Sequence, residues 1–275
     1  MLGAGCIEFE RGEDESTGGS TGSEGESTGV PTSGADTAAT GESGGGEATG
    51  GGIGGECDLW LQDCLDGSKC MPVDSDADGI QDATKCVPLS ANPKQAGDDC
   101  KVEGSPASGI DDCGEGLICW GVDKQNEGQC VQMCEGSQWA PTCPDGLICD
   151  VSNGGALPLC LAPCDPLTPS CGAGKVCIFT STGDGIFVCD TDASGEGGYY
   201  GDDCEYINVC DDGLLCAPAA AVPGCLTPGC CTEYCDLDEP DNLCSGAPSQ
   251  QCLPFYDNSE PPPGFEDVGV CTIPM

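Results

Sequence analysis

Histidine is absent from this sequence, and arginine occurs once, at Arg11. The first absence removes the commonest general base, the imidazole metal ligand and every Ser-His or Cys-His nucleophile arrangement. The second belongs to a wider shortage of positive charge: 7 basic residues face 48 acidic ones, a formal net charge of -41. That excludes nucleic acid as a partner, because phosphate binding needs clustered Lys and Arg. It also excludes direct adhesion to an anionic lipid surface. Aromatic residues are only 5% of the chain, too few for one ordinary globular core, and no long amphipathic helical pattern is visible. What the chain has instead is cysteine, 27 of 275 residues, with 45 Gly and 21 Pro. This is the composition of a disulfide scaffold dominated by turns. The acidity suits a solvated protein outside the cell, or one that collects cations.

Cysteine frameworks persist as disulfides in oxidising compartments. The alternative is metal binding in a reducing one. It calls for paired CxxC motifs of the zinc type or dense Cys-x-Cys repeats, and the spacing shows neither. Disulfides, and hence an extracellular location, are expected.

One cysteine stands apart. "MLGAGC" leaves fifty residues between Cys6 and the next cysteine, and the stretch Leu2-Gly3-Ala4-Gly5-Cys6 resembles the end of a bacterial lipoprotein signal. Leu2 stands four residues before the cysteine, where that motif prefers three. No basic start and no apolar segment precede Cys6, so the hydrophobic part of such a signal is expected upstream of Met1. Lipid on Cys6 also resolves the arithmetic, since 27 is odd and the remaining cysteines suffice for thirteen bridges. The other reading is a free N-terminal cysteine.

Residues 7–55 then form a linker. "ESTGGSTGSEGESTG" and "TGESGGGEATGGGIGGE" cannot bury enough apolar surface to offset chain entropy, so a disordered tract is expected. Its mean reach is on the order of 40 Å. Such a tract holds a folded head clear of a membrane or wall, or is a plain disordered tail. Mild proteolysis is expected to cut here and leave a resistant fragment beginning near Glu56.

From Cys57 the cysteines follow one grammar, a C-x5-C pair with one cysteine before and one after. The pairs are "CLDGSKC" (64–70), "CGEGLIC" (113–119), "CPDGLIC" (143–149), "CGAGKVC" (171–177) and "CDDGLLC" (210–216), with a looser "CSGAPSQQC" (244–252). Four units are complete on this reading: Cys57, Cys64, Cys70 and Cys86; Cys100, Cys113, Cys119 and Cys130; Cys134, Cys143, Cys149 and Cys160; Cys164, Cys171, Cys177 and Cys189. The fifth has Cys204, Cys210, Cys216 and one of Cys225, Cys230 and Cys231, which leaves two extra. The sixth has Cys235, Cys244, Cys252 and Cys271. "GDDC" opens units two and five, and "DASGEGGYY" (192–200) separates the halves. The expected organisation is therefore a signal end at 1–6, a linker at 7–55, modules one to four at 56–191, a short linker at 192–200, and modules five and six at 201–275.

Units of about forty residues cannot build a self-sufficient core, and covalent staples take its place. Each disulfide typically adds about 2–4 kcal/mol by restricting the unfolded chain. "KVCIFTSTGDGIFVC" (175–189) reads as a β-hairpin, with alternating apolar residues on either side of Thr182-Gly183-Asp184-Gly185. A three-residue loop there sets Cys177 opposite Cys189 and Phe179 opposite Phe187. Asn153-Gly154 and Glu127-Gly128 mark similar turns. The expected fold class is small and disulfide-rich, with tandem four-cysteine modules of short β-hairpins and loops after the linker. Of the three connectivities open to four cysteines, first-to-third with second-to-fourth is expected. Trp60, Trp120, Trp139, Phe255 and Tyr256 have two readings, a carbohydrate-stacking set or plugs in a small core; core packing is the one expected.

The Leu2–Cys6 start, the linker, "CDLWLQDC", "DATKCVPL", "GIDDCGEGLICW" and the closing "PPPGFEDVGVC" together resemble a group of cysteine-rich lipoproteins of myxobacteria, over nearly the full chain. That resemblance brings with it a ribulose-phosphate epimerase label that the residues contradict. Those epimerases look like (β/α)8 barrels holding a metal with paired His and Asp, whereas this chain has no His and no alternating helix pattern.

The expected function is a non-catalytic, surface-tethered extracellular lipoprotein, on the outer membrane or secreted, presenting its modules for binding or envelope structure. Its partner would be an extracellular ligand, with membrane contact through the lipid alone. A protease-inhibitor module is the second class and a secreted carboxylate hydrolase the third. Acidic pairs such as Asp98-Asp99, Asp111-Asp112 and Asp202-Asp203 are expected as solvated turns rather than catalytic carboxylates. One cation site is visible in "DSDADGIQD" (74–82). Asp74, Asp76 and Asp78 alternate, Gly79 allows a sharp turn, and the Ile80 carbonyl and Asp82 complete an oxygen shell. The pattern resembles an EF-hand loop and, more closely, a thrombospondin type 3 repeat. Lys85 stands in the place of the EF-hand's bidentate Glu. Weak structural calcium at roughly 10⁻⁴–10⁻³ M is one reading and a solvated acidic turn the other; no other cofactor is expected.

Overall fold

A computed structural model describes residues 56–275, apart from 145, 169, 181–184, 240–243, 257–259 and 275. Cys6 and the 7–55 linker lie outside the described residues. Among the described residues there is no α-helix, only short strands and two 3-10 turns at Asn153–Gly155 and Ala219–Ala221. Among the described residues, no helix is long and apolar enough to cross a membrane.

Each module is built on one antiparallel hairpin that sets its third and fourth cysteines opposite each other. In module one, β1 (Ser68–Val73) and β2 (Ala83–Pro88) oppose Cys70 and Cys86. In module two, β3 (Asp99–Lys101) lies on β5 (Glu127–Gln132), which pairs with β4 (Leu117–Trp120) and opposes Cys119 to Cys130. Module three carries a small hairpin, β6 (Glu135–Ser137) and β7 (Ala140–Thr142). Its main hairpin, β8 (Ile148–Ser152) and β9 (Leu157–Leu161), faces Cys149 to Cys160. Module four pairs β10 (Lys175–Phe179) with β11 (Phe187–Thr191) in the expected register, Cys177 opposite Cys189 and Phe179 opposite Phe187; its loop residues 181–184 lie outside the described residues. Modules five and six share one sheet in the order β12 (Leu214–Pro218), β13 (Gly229–Asp236), β15 (Val268–Thr272), β14 (Gln251–Pro254).

Opposed residues of an antiparallel pair project from the same face. The third and fourth cysteines therefore offer both sulfurs to one side, where the preceding loop brings the first two. The bridges are first-to-third and second-to-fourth in all six modules: Cys57–Cys70 and Cys64–Cys86, Cys100–Cys119 and Cys113–Cys130, Cys134–Cys149 and Cys143–Cys160, Cys164–Cys177 and Cys171–Cys189, Cys204–Cys216 and Cys210–Cys231, Cys235–Cys252 and Cys244–Cys271. The thirteenth, Cys225–Cys230, identifies the extra pair.

The first cysteine also has a fixed place, alongside the strand that carries the fourth. Cys100 pairs with Gly128 and Cys235 with Gly269. The backbone N–H groups of Cys134, Cys164 and Cys204 donate to the carbonyls of Pro158, Phe187 and Gly229. A module is thus a three-stranded arrangement in the order first, fourth, third. Where only three residues separate the fourth cysteine from the next module's first, as in "CVQMC", "CLAPC" and "CTEYC", the chain passes straight into the next module. β13 makes this explicit, pairing with β12 through its first half and β15 through its second.

Glu127-Gly128 is not a turn. The reversal falls earlier, at residues 121–126, where Asp123 Oδ1 accepts the N–H groups of Gln125 and Glu127 and Asn126 takes φ 60°. Gly128 serves another purpose. A Cβ there would lie 2.6 Å from the Trp120 carbonyl oxygen and 3.1 Å from Cys119 Sγ. Gly229 and Gly269 stand at the equivalent positions, two residues before their fourth cysteines, and both press on sulfurs of the first-to-third bridge.

The staples do not replace the core entirely. Met71, Val87, Ile118, Met133, Leu159 and Val188 are buried in one apolar cluster that spans modules one to four. A second cluster is aromatic. Phe187 is fully buried, with ring centroids of Tyr234 and Phe265 at 5.3 Å and of Phe255 and Phe179 at 5.5 Å. This cluster joins module four to modules five and six. The five candidate aromatics do not form one surface: Phe255 and Tyr256 belong to this cluster, Trp60 and Trp120 are half-buried, and Trp139 is exposed at the β6–β7 turn.

Candidate functional site

The acidic loop is a compact exposed turn between β1 and β2. Asp74 Oδ1 accepts the N–H groups of Asp76 (3.1 Å) and Ala77 (2.6 Å), and Oδ2 accepts that of Gly79 (2.8 Å). Asp76 and Asp78 accept the N–H groups of Asp78 and Ile80. Asp82 receives both the N–H and the hydroxyl of Ser75. The Gly79 N–H, followed by those of Ala77 and Asp76, holds the Asp74 carboxyl below the usual carboxylate range. Asp74, Asp76, Asp78, Ile80 and Asp82 all lie in this loop, each carboxylate accepting a backbone N–H of the loop, with φ of 68° at Ala77 and 92° at Gly79 making the turn. These are hard oxygen donors of the kind calcium takes.

The cysteine sulfurs also cluster, for example those of Cys57, Cys64 and Cys86. Each is committed to a disulfide, which leaves no thiolate to act as a metal ligand. The clustering reflects two adjacent staples.

The acidic pairs behave differently from one another. Asp98 and Asp99 are exposed. Asp111 is not a solvated turn: its side chain is 2% exposed and lies 2.5 Å from the fully buried Lys69 Nζ. Lys69 projects from module one into the C-x5-C loop of module two and also donates to the carbonyls of Leu117 (2.9 Å) and Cys113 (3.1 Å). Asp111 in turn accepts the N–H groups of Cys113 and Cys119, one on each oxygen. Three donors and their acceptors are thereby satisfied out of water. Burial pushes the Lys69 pKa down while the Asp111 charge opposes it. The Asp111 burial follows from Lys69, 42 residues earlier, a pairing no local spacing announces.

A second, half-buried carboxylate lies between modules two and four. Asp190 Oδ1 accepts the Trp120 indole N–H (2.7 Å) and the Thr191 N–H (2.7 Å). Burial pushes its carboxyl above the usual range, these two bonds oppose the shift, and the Asp150 charge adds to it. Asp150 itself accepts the Thr180 hydroxyl.

Asp202 and Asp203 line an open hollow of about 590 Å3 with Ser194, Glu205, Tyr206 and Val209. Tyr206 and its neighbour Ile207 are exposed. The hollow thus offers carboxylate acceptors beside an aromatic face. Its rim is tied to the Cys225–Cys230 loop, where Thr227 Oγ1 lies 3.1 Å from Asp203 Oδ1. Neither the hollow nor this loop follows from spacing alone, although the two cysteines outside the four-per-module count marked the region.

The fold and these surfaces define a class: a disulfide-rich chain of six stapled hairpin modules. No protein-family model, curated protein or solved structure matches the chain.

Proposed function

We propose that this chain is a non-catalytic extracellular lipoprotein, anchored through Cys6 and the 7–55 linker, that presents its stapled modules for binding or as part of a bacterial envelope. The observation that carries the reading is the set of thirteen disulfides closing six modules of one plan, a framework that persists in an oxidising, extracellular environment. The Leu2–Cys6 sequence and the resemblance to myxobacterial cysteine-rich lipoproteins support the anchor. The test is metabolic labelling with a fatty acid in a bacterium expressing the gene with its upstream DNA. Label should enter the protein, the intact cells should expose it to an impermeant reagent, and Cys6→Ser should abolish the label. An unlabelled protein confined to the cytoplasm would overturn the reading.

For the 74–82 loop we propose weak structural calcium binding. The alternation of Asp74, Asp76 and Asp78 supports it, and so does the exposed turn in which they and Asp82 lie. Calorimetric titration of the full chain should show binding at roughly 10⁻⁴–10⁻³ M, lost in Asp76→Ala with Asp78→Ala. No heat at several times that concentration would leave a solvated acidic turn.

A further inference from the structure

We infer that the ring closed by Cys225–Cys230 is a protease-binding loop that presents Leu226 to the primary pocket of a secreted serine endoprotease preferring large apolar residues. The inference rests on the reading of the protein as an extracellular binding protein and names a partner for it.

The first support is the bridge itself. Module five already holds Cys204–Cys216 and Cys210–Cys231, the same two staples as every other module. The extra bridge spans a sequence separation of 5, where the other twelve span 12 to 27. Disulfide stabilisation of a whole fold grows with the length of chain enclosed, so this bridge contributes least to the fold. What it does is fix the local shape of six residues.

The second support is what the ring displays. Leu226 is 97% exposed. A single exposed leucine is ordinary on a surface; one held out on a covalently closed ring is a shaped feature. The residues around it are fastened. The Cys225 N–H donates to the Val222 carbonyl (3.2 Å), the Ala219 N–H to Pro228 (3.0 Å) and the Cys204 N–H to Gly229 (3.0 Å). Thr227 Oγ1 lies within reach of Asp203 Oδ1 and, at 2.9 Å, of the Gly229 carbonyl. Among the described residues, no hydrogen bond uses the Leu226 N–H or carbonyl. A serine protease needs that combination at the residue entering its primary pocket. It pairs with the substrate backbone there and draws the carbonyl oxygen into its oxyanion hole.

Rigidity turns a substrate segment into an inhibitor by two routes. The ring is already ordered, so binding loses little loop entropy. Hydrolysis of the Leu226–Thr227 bond adds one water, giving a Leu226 carboxylate and a Thr227 ammonium. Both new ends lie inside the Cys225–Cys230 bridge and are kept together, so the peptide can reform on the enzyme with loss of the same water.

The test uses the oxidised full-length protein against a subtilisin-type protease, which accepts large apolar residues, and a trypsin-type protease, which requires Lys or Arg. Inhibition of the first on the order of 1 µM or tighter, with none of the second, is expected. Leu226→Ala should weaken it by at least ~10-fold, and Leu226→Lys should transfer inhibition to the trypsin-type enzyme. Cys225→Ser with Cys230→Ser should leave the other bridges formed yet convert the protein to a substrate cut at Leu226–Thr227. Failure of the folded protein to inhibit at about a hundredfold higher concentration, or inhibition unchanged by both Leu226 variants, would overturn the loop assignment. Lipid labelling at Cys6 and surface exposure are measured separately, so that outcome leaves the tethered-protein reading standing.

Discussion

At the scale of single residues, two carboxylates shielded between modules, Asp111 and Asp190, respond oppositely to substitution. Asp111 neutralises Lys69 where both are out of water, and removing one partner of such a pair strands a charge. Asp111→Ala should therefore lower stability by about 3–5 kcal/mol, read as a drop in the denaturant midpoint of the oxidised protein. A loss below 1 kcal/mol would mean that water reaches Lys69. Asp190 makes no ion pair among the described residues, although the Lys175 charge acts on it; both of its hydrogen bonds fall on Oδ1, which an asparagine can reproduce. Its carboxyl is raised by burial. The folded state therefore holds that proton more tightly than the unfolded chain does. The stabilisation from the proton is complete below the unfolded value near 3.8 and is lost as pH rises through the higher folded value. Asp190→Asn should accordingly stabilise the protein at pH 7 and give no gain near pH 3, checked by thermal unfolding at the two pH values. Equal effects at both would remove the titration from the explanation.

Among the elements, the hairpins were legible and the reasons for their glycines were not. C-x5-C spacing and period-two alternation were enough to oppose Cys177 to Cys189 and Phe179 to Phe187, because a tight turn fixes register. The same logic led to first-to-third and second-to-fourth bridges. It failed at Glu127-Gly128, where a glycine was taken for turn chemistry although it makes room for the bridge between the first and third cysteines. Spacing along a chain carries turn information; it carries nothing about a third strand approaching from nineteen residues away, as Cys100 reaches Cys119. Gly269 tests this close approach. An added methyl would meet Cys252 Sγ at 2.6 Å, Leu237 Cδ2 at 2.9 Å and Cys235 Sγ at 3.0 Å. Gly269→Ala should cost about 1–3 kcal/mol from overpacking and slow formation of Cys235–Cys252, followed by thiol trapping during refolding. Normal refolding at full stability would show that the sheet yields freely.

For the molecule as a whole, the aromatic cluster does what the repeat cannot. Each module is stapled to itself, and no bridge among the described residues crosses from one module to another. Phe187 comes from module four, while Tyr234, Phe255 and Phe265 come from residues far later in the chain. That convergence has no signature in the sequence, where these residues look like scattered aromatics in a chain that has few. Phe187→Ala should cost about 3–5 kcal/mol and split the calorimetric transition of the oxidised protein into two. A single transition at the original temperature would show that the modules are coupled elsewhere. The turn of the acidic loop, by contrast, falls at Gly79 as the sequence indicated, because a short loop draws its hydrogen bonds from one run of residues.

The crossed bridges also give the chain a mechanical character. Tension entering module one at Cys57 reaches Cys64 either along the backbone between them or through sulfur to Cys70 and back along five intervening residues, and leaves through sulfur to Cys86. The long hairpin between Cys70 and Cys86 bears no load. The same crossed pair recurs in every module, so under pull the slack that can be drawn out is confined to the segments linking the first three cysteines and the connections between modules. Pulled at its two ends, the stapled part between Cys57 and Cys271 would yield only that slack, and unravelling it further would require breaking covalent bonds.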